Sequence, residues 1–131
     1  MYSNNTRSPN LNIELEPGIY RFDCESGSGK TRLCKALKDY RVAGEPVISY
    51  SYQDSILGLP IDNVLVPNKY KVIMLDRYDM YNGSGVEILG KCVENTVILI
   101  DCKGSLKVPK ELYSKVHFCC ISMDKNEIEV F

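Results

Sequence analysis

The sequence IYRFDCESGSGKT, residues 19–31, decides the fold because it joins an apolar strand, a glycine-rich loop and the start of a helix. It approaches the pattern G-x-x-x-x-G-K-[ST], whose backbone N–H groups surround a phosphate. Gly29, Lys30 and Thr31 are in register with that pattern. Cys24 takes the place of the first glycine, where the backbone freedom of glycine is less crucial than at Gly29. The stretch therefore predicts a phosphate-binding loop.

The loop and the first turn of the helix supply the residues that we expect to bind a nucleotide. Successive N–H groups would surround the β-phosphate beside the positive end of the helix. Lys30 would reach the β- and γ-phosphate oxygens, and the Thr31 hydroxyl would coordinate Mg²⁺. The predicted nucleotide-binding residues are Glu25, Ser26, Gly27, Ser28, Gly29, Lys30, Thr31 and Arg32.

Two further apolar stretches, VIMLD at residues 72–76 and VILID at residues 97–101, each end in an aspartate. A carboxylate at the carboxyl end of a strand can hold Mg²⁺ through water. We assign the metal to Asp76, together with Thr31, because the strand of Asp76 comes first. A later strand often supplies a polar sensor near the γ-phosphate, and Asp101 or Lys103 is the candidate for that role.

Hydrolysis also needs a group that orients or deprotonates the attacking water. Many ATPases place a glutamate directly after the metal-binding aspartate, but here that residue is Arg77, which we consider as an arginine finger acting across an oligomer. Asp79 is the nearest carboxylate, and Gln53 is a second candidate to contact water or Mg²⁺. The predicted catalytic residues are thus Lys30, Asp79 and Gln53, and the sequence supports binding more strongly than turnover.

Apolar strands alternate with helices or long connections along the chain. The predicted strands are residues 11–16, 19–23, 47–52, 71–76, 96–101, 116–122 and 128–131, and the predicted helices are residues 30–40, 86–94 and 109–115. Near-continuous apolar runs are typical of strands covered on both faces of a parallel sheet. We predict a three-layer α/β fold with a mostly parallel sheet, an N-terminal β-hairpin and a C-terminal closing hairpin. Residues 1–10 are expected to form a flexible arm, and residues 11–131 one domain.

Composition argues against several classes of protein. The chain has 131 residues, a net charge of -1 and six cysteines, and the polar residues 1–10 contain no secretory segment. We therefore expect reduced thiols in a cytoplasmic protein. The apolar run 97–100 is too short to cross a bilayer. Basic residues are scattered among acids, so there is no strong nucleic-acid signal, although a small local patch remains open.

These stretches resemble a P-loop NTPase, and within that group a stripped-down ABC-type ATPase core. Residues 12–33 are similar to its hairpin, phosphate loop and first helix, residues 47–57 to its glutamine loop, residues 72–76 to its Walker B strand and residues 117–131 to its closing hairpin. The resemblance implies roles for Gln53 and Asp76 at the metal and the water. The sequence departs from that family in lacking an LSGGQ-like signature and the helical subdomain that carries it.

The leading prediction is a protein that binds a nucleoside triphosphate with Mg²⁺ and acts as a slow or partner-activated ATPase. ATP is favoured over GTP because no N/TKxD element is present. The alternative is a non-hydrolysing module for nucleotide sensing or interaction. A nucleotide kinase is less favoured. LDRY, residues 75–78, is similar to a strand end of thymidylate kinases, but those enzymes also need an arginine-bearing lid segment, and the chain is too short to hold one. A homo-oligomer or a protein partner would complete the site.

Overall fold

The computed structural model describes residues 15–22, 28–78, 89–90, 92–101, 110–122 and 127–130. The strands are β1 (Gly18–Phe22), β2 (Val47–Tyr50), β3 (Val72–Leu75), β4 (Val97–Ile100), β5 (Val116–Ser122) and β6 (Glu127–Val130). The α-helices are α1 (Ser28–Val42) and α2 (Tyr52–Ile56), and Ile61–Asn63 and Lys110–Lys115 are short 3₁₀ helices. The predicted arm, residues 1–10, lies outside the described residues.

The six strands form one sheet in the order β2-β3-β4-β1-β5-β6. The first five strands in chain order pair in parallel, and β6 pairs antiparallel with β5. The mostly parallel sheet and the C-terminal closing hairpin are therefore confirmed. Of the predicted N-terminal hairpin strand, residues 11–14 lie outside the described residues, while Leu15 and Glu16 are not in a strand.

Both faces of the sheet are covered, as a parallel sheet requires. The side chains of each strand alternate between two apolar clusters. The cluster on the α1 face contains Leu33, Ala36, Leu37, Tyr40, Val72, Met74, Val97 and Leu99. The cluster on the opposite face contains Val64, Leu65, Ile73, Leu75, Leu89, Val93, Ile98 and Ile100. The two clusters and the sheet between them bear out the predicted α/β class.

Helix α1 is positioned by its apolar stripe and ended by a glycine. Leu33, Leu37 and Tyr40 lie one turn apart and are buried against the sheet. Gly44 has a φ of 96°, the left-handed conformation that glycine adopts most easily. Its N–H donates to the carbonyl of Arg41 at 3.0 Å, and the next N–H donates to the carbonyl of Tyr40 at 3.0 Å. This pair of bonds is a Schellman motif, which satisfies the last helical carbonyls.

Two predicted elements are corrected by the structure. The strand predicted over residues 47–52 ends at Tyr50. The chain leaves the strand there because Ser51 caps the start of α2, where its N–H donates to Asp54 Oδ2 at 2.8 Å. Gln53 therefore lies in a helix. The helix predicted over residues 86–94 is not an α-helix in its described part, where residues 89–90 lie in a 3₁₀ helix and residues 92–95 form turns. Leu89 and Val93 are still buried, so this conformation satisfies the same apolar spacing.

No helix in the described part of the chain is long and apolar enough to span a membrane. Reduced thiols are the expectation for the cysteines, and among the described residues Cys34, Cys92, Cys119 and Cys120 are not joined in disulfide bonds. Cys24 and Cys102 lie outside the described residues.

Replacement of Ile98 with alanine tests the central position of β4. Ile98 is completely buried in the opposite-face cluster, so truncation leaves a cavity and is expected to lower the free energy of unfolding by about 2–5 kcal/mol. Val42 is 79% exposed, and Val42→Ala is expected to change it by less than about 0.5 kcal/mol. Urea denaturation measures both free energies, and equal effects would contradict the burial of Ile98 inside the opposite-face cluster.

Candidate functional site

The order of the strands creates a crevice at the carboxyl edge of the sheet. After β1 the chain runs through α1 to β2, which lies at one edge of the sheet. After β4 it runs the opposite way, past β1, to β5 on the other side of β1. The connections that leave the neighbours β1 and β4 thus run in opposite directions. In open α/β sheets, ligands bind outside the carboxyl ends of the strands at such a switch point. The glycine-rich loop follows β1 at this position.

The structure describes only some of the predicted loop residues. Glu25, Ser26 and Gly27 lie outside the described residues. The remaining predicted nucleotide-binding positions, Ser28, Gly29, Lys30, Thr31 and Arg32, form the first turns of α1. Helix α1 therefore begins at the sequence motif, and its unpaired N–H groups and positive dipole end lie at the crevice.

Asp76 and Asp101 follow adjacent strands that are in register. Leu75 pairs with Ile100, and Ile100 pairs with Arg21 of β1. The pairing continues beyond the strands, because the Asp101 N–H donates to the carbonyl of Leu75 at 3.0 Å. Asp101 is only 8% exposed, and Asp76 is half-buried. Two carboxylates thus lie at neighbouring strand ends, with Asp101 on the strand that touches β1.

Cys34 shows that both carboxylates lie near α1. Burial raises the pKa of the Cys34 thiol, and the negative charges of Asp76 and Asp101 raise it further. A hydrogen bond from Ser49 Oγ to Cys34 Sγ at 3.5 Å lowers that pKa, as does the charge of Lys38. Helical residues three and four apart share a face, so the backbone positions of Thr31 and Lys30 lie one turn before Cys34 on the same side of α1.

The turn after β3 has an unusual backbone. Arg77 has a φ of 49°, which is uncommon for a residue other than glycine. The Tyr78 N–H donates to the carbonyl of Asp101 at 2.8 Å, and the Tyr78 ring is buried in the opposite-face cluster. The chain therefore crosses the end of β4 immediately after Asp76. Asp79, the predicted catalytic carboxylate, lies outside the described residues, as does the alternative sensor Lys103.

Gln53 is placed at the far side of this edge. It is exposed in α2, which follows the edge strand β2. Two strands, β3 and β4, separate β2 from β1, so the strand ends are roughly 14 Å apart at the usual strand spacing. The structure thus brings Asp76 and Asp101 together next to α1. Gln53 follows β2, which pairs with the strand of Asp76 but is the farthest of these four strands from β1.

Cys34 and Ser49 were not singled out in the sequence. Helical spacing could have indicated Cys34, because it lies four residues after Lys30 on the same face of a helix. Its contact with Ser49 could not be predicted, because that contact depends on how α1 packs against the sheet. Among the described residues, no group of three or more His, Cys, Asp or Glu side chains could hold a metal ion. Mg²⁺ needs no such cluster, since one or two carboxylates, water and substrate phosphates usually bind it.

Comparisons with protein-family models, with curated proteins and with solved structures find no match. The residues and their geometry are therefore the basis for any functional assignment.

Exchange of Asp76 or Asp101 for asparagine is expected to accelerate the alkylation of Cys34. Each carboxylate raises the pKa of this thiol, so its removal lowers the pKa and increases the thiolate fraction at any pH below that pKa. The gain shrinks as the pH approaches the pKa. Reaction with iodoacetamide at pH 8, followed peptide by peptide with mass spectrometry, measures the rate.

The control for this experiment is Asp62→Asn, which removes an exposed carboxylate from a 3₁₀ helix. Its Cys34 rate should equal that of the wild type. If neither Asp76→Asn nor Asp101→Asn changes the rate while both proteins remain folded, the two carboxylates do not lie near α1.

Proposed function

We propose that this protein binds ATP with Mg²⁺ at the carboxyl edge of its sheet and hydrolyses the γ-phosphate slowly or with the help of a partner. One observation carries the proposal. The chain passes from β1 into α1 at the switch point, with Gly29, Lys30 and Thr31 of the SGSGKT motif in the first turn of α1, and the adjacent strand ends bring Asp76 and Asp101 to the side of α1. A phosphate-binding segment and acidic metal ligands are the two halves of such a site.

The phosphates would bind at the start of α1. Backbone N–H groups of the loop and the first helical turn would donate to the β-phosphate, and the helix dipole favours the negative charge. Lys30 would contact the β- and γ-phosphate oxygens. The N–H groups of the first helical turn belong to α1 before the nucleotide arrives, so they would stabilise the charge that develops on the transferred group without reorganising.

The residues present fit a magnesium site. Mg²⁺ prefers hard oxygen ligands, and Asp76 with the Thr31 hydroxyl would hold it beside the phosphates. When bound, Mg²⁺ neutralises charge on the β- and γ-phosphate oxygens. Asp101 follows the strand between β1 and β3, so it is suited to the predicted role of sensing the γ-phosphate.

Hydrolysis would proceed by in-line attack of water on the γ-phosphorus. The new P–O bond forms as the bond to the β-phosphate oxygen breaks, and the water proton passes to a base. Asp79 is the nearest carboxylate beyond the turn at Arg77 and is assigned that proton. Gln53 would have to approach from α2 to orient the water, and Arg77 would supply positive charge within the site or across an oligomer.

The second candidate is a nucleotide-binding module that does not hydrolyse. The observation that favours it is Arg77, which occupies the place directly after Asp76 and supplies no base. In that case the protein would change its affinity for a partner when nucleotide binds, and turnover would be absent. The two functions share one binding site, so binding and turnover must be measured separately.

Mg-ATP is expected to stabilise the wild type but not Lys30→Ala. Ligand at about 100 times its Kd adds about 2.7 kcal/mol, which raises the Tm by roughly 10 °C for a domain of this size. Differential scanning fluorimetry with Mg-ATP and Mg-GTP measures the shift in Tm and shows whether the site prefers adenine or guanine. Lys35→Ala, an exposed lysine further along α1, is the matched control and should keep the shift.

Absence of a shift in the wild type at millimolar nucleotide would contradict nucleotide binding by the isolated chain. If Mg-ATP raised the Tm of Lys30→Ala as much as that of the wild type, the nucleotide would bind somewhere other than the predicted loop.

Asp79→Asn separates the two candidate functions. If Asp79 is the base, kcat is expected to fall by about 10²–10⁴-fold, while the Mg-ATP thermal shift is kept. Release of inorganic phosphate measures turnover, and Asp62→Asn is the control for loss of an exposed aspartate. A preserved kcat would exclude Asp79 as the base. A thermal shift without turnover in the wild type would favour the non-hydrolysing module.

A further inference from the structure

A second charged surface lies on the outer side of α1 and at the amino edge of the sheet. Five exposed cations form it, and we name them the basic strip: Lys35, Lys38, Arg41, Lys69 and Lys71. The last two lie just before β3, and Arg41 lies near the end of α1. The carboxyl edge, where the nucleotide is proposed to bind, is at the opposite end of the strands.

The helical part of the basic strip follows from the apolar stripe of α1. Because Leu33, Leu37 and Tyr40 face the sheet, the side chains on the opposite side of the helix face solvent. Lys35, Lys38 and Arg41 recur every third residue, so they advance along the outer face by about 4.5 Å per step at 1.5 Å per residue.

Tyr70 joins the helical cations to those before β3. The guanidinium carbon of Arg41 lies 5.6 Å from the centre of the Tyr70 ring, and Lys69 Nζ lies 5.5 Å from it. Backbone carbonyls hold both cations further: Arg41 donates to Val47 at 3.4 Å, and Lys69 donates to Asn63 at 3.0 Å. The two positive charges are therefore fixed around a single half-buried ring.

The basic strip has an excess of positive charge. Within the part of the chain that the structure describes, none of its five cations forms an ion pair with an acidic side chain. Asp39 and Glu45 are interleaved in sequence with its helical end, and Asp62 precedes the Asn63 carbonyl that Lys69 contacts, which leaves an excess of two positive charges, five against three. The whole chain has a net charge of -1, so the positive charge of the strip is local. It arises because the fold brings together cations that are far apart in the sequence.

We propose that the basic strip binds the phosphate backbone of a nucleic acid without reading its base sequence. Clustered lysines and arginines neutralise successive phosphates and release counterions. The Tyr70 ring is occupied by Arg41 and Lys69, so it orders cations rather than stacking on bases. Contacts of this kind position a nucleic acid but carry no sequence information.

A membrane surface suits the basic strip less well. Interfacial helices bury an apolar face in the lipid beside their cations. The apolar face of α1 is already buried against the sheet, and the exposed apolar residues near the strip include Val42 and Val66, which lie on separate segments and not on one helical face. The surface therefore offers charge without an apolar helical face, which favours a densely charged polymer.

The test is fluorescence anisotropy with labelled 20-nucleotide mixed-sequence RNA, single-stranded DNA and duplex DNA, at salt from 50 to 300 mM. Single strands are expected to bind with log K falling linearly with log salt, at a slope of up to about −3.5 for five neutralised phosphates. The double variant Lys69→Gln/Lys71→Gln should weaken binding roughly tenfold at the lowest salt and reduce the slope by about 1.4. Unrelated sequences should bind alike.

The matched control is Lys110→Gln/Lys115→Gln, which removes the same charge elsewhere. Lys110 is exposed, and Lys115 makes one ion pair, with Glu94 at 3.8 Å, on the surface. This variant should bind as the wild type does. The Tm of both double variants is measured first, and Arg41→Lys, which keeps the charge, should keep the slope.

Four results would overturn the proposal. They are no binding at 50 mM salt, equal loss in the two double variants, loss in Lys30→Ala alone, and binding only to vesicles containing phosphatidylserine. Loss in Lys30→Ala alone would assign the phosphates to the start of α1, and binding only to vesicles would make the strip a membrane surface. Failure to bind Mg-ATP would leave this proposal intact, because the strip and the carboxyl edge are varied independently.

Discussion

The parallel pairing of β1 with β4 is the constraint on which the rest of the structure depends. It begins where the Gly18 N–H donates to the carbonyl of Thr96 at 3.0 Å, and it keeps Arg21 level with Ile100. A slip of one residue would turn every side chain of β4 to the other face of the sheet. Asp101 would then leave the α1 side, and the residues of the two apolar clusters would be exchanged. The buried register thus fixes the core and the acidic end of the site together.

Helix α1 converts this register into two surfaces. Full burial of a large apolar side chain contributes about 1.5–3 kcal/mol, so Leu33, Leu37 and Tyr40 set the rotation of the helix about its axis. With that rotation, Cys34 faces the two carboxylates and the lysines at positions 35 and 38 face solvent. One apolar stripe therefore directs the face of Cys34 towards the two carboxylates and the face of Lys35 and Lys38 towards solvent.

The sequence predicted what depends on local patterns. Apolar runs identified β3 and β4, and the glycine-rich motif located the start of α1. Near Ser51 a local signal was missed: Ser51 and Asp54 form a capping pattern that ends the strand, and it outweighed the β-propensity of VISYSY. Strand order could not be predicted, because pairing joins residues far apart in the chain. The basic strip was hidden for the same reason, since Arg41 and Lys69 meet only at Tyr70.

The turn after β3 shows how closely the fold limits the chemistry of the site. Arg77 has a left-handed backbone that costs roughly 1–2 kcal/mol in a residue other than glycine, and such strain is concentrated at functional positions. The turn is held on both sides, by the Asp76 N–H, which donates to the carbonyl of Tyr50 at 2.9 Å, and by the bond from Tyr78 to Asp101. The residue next to Asp76 therefore contributes a cation and no base. A base supplied by this segment has to come from beyond Tyr78, and Asp79 is the first residue there.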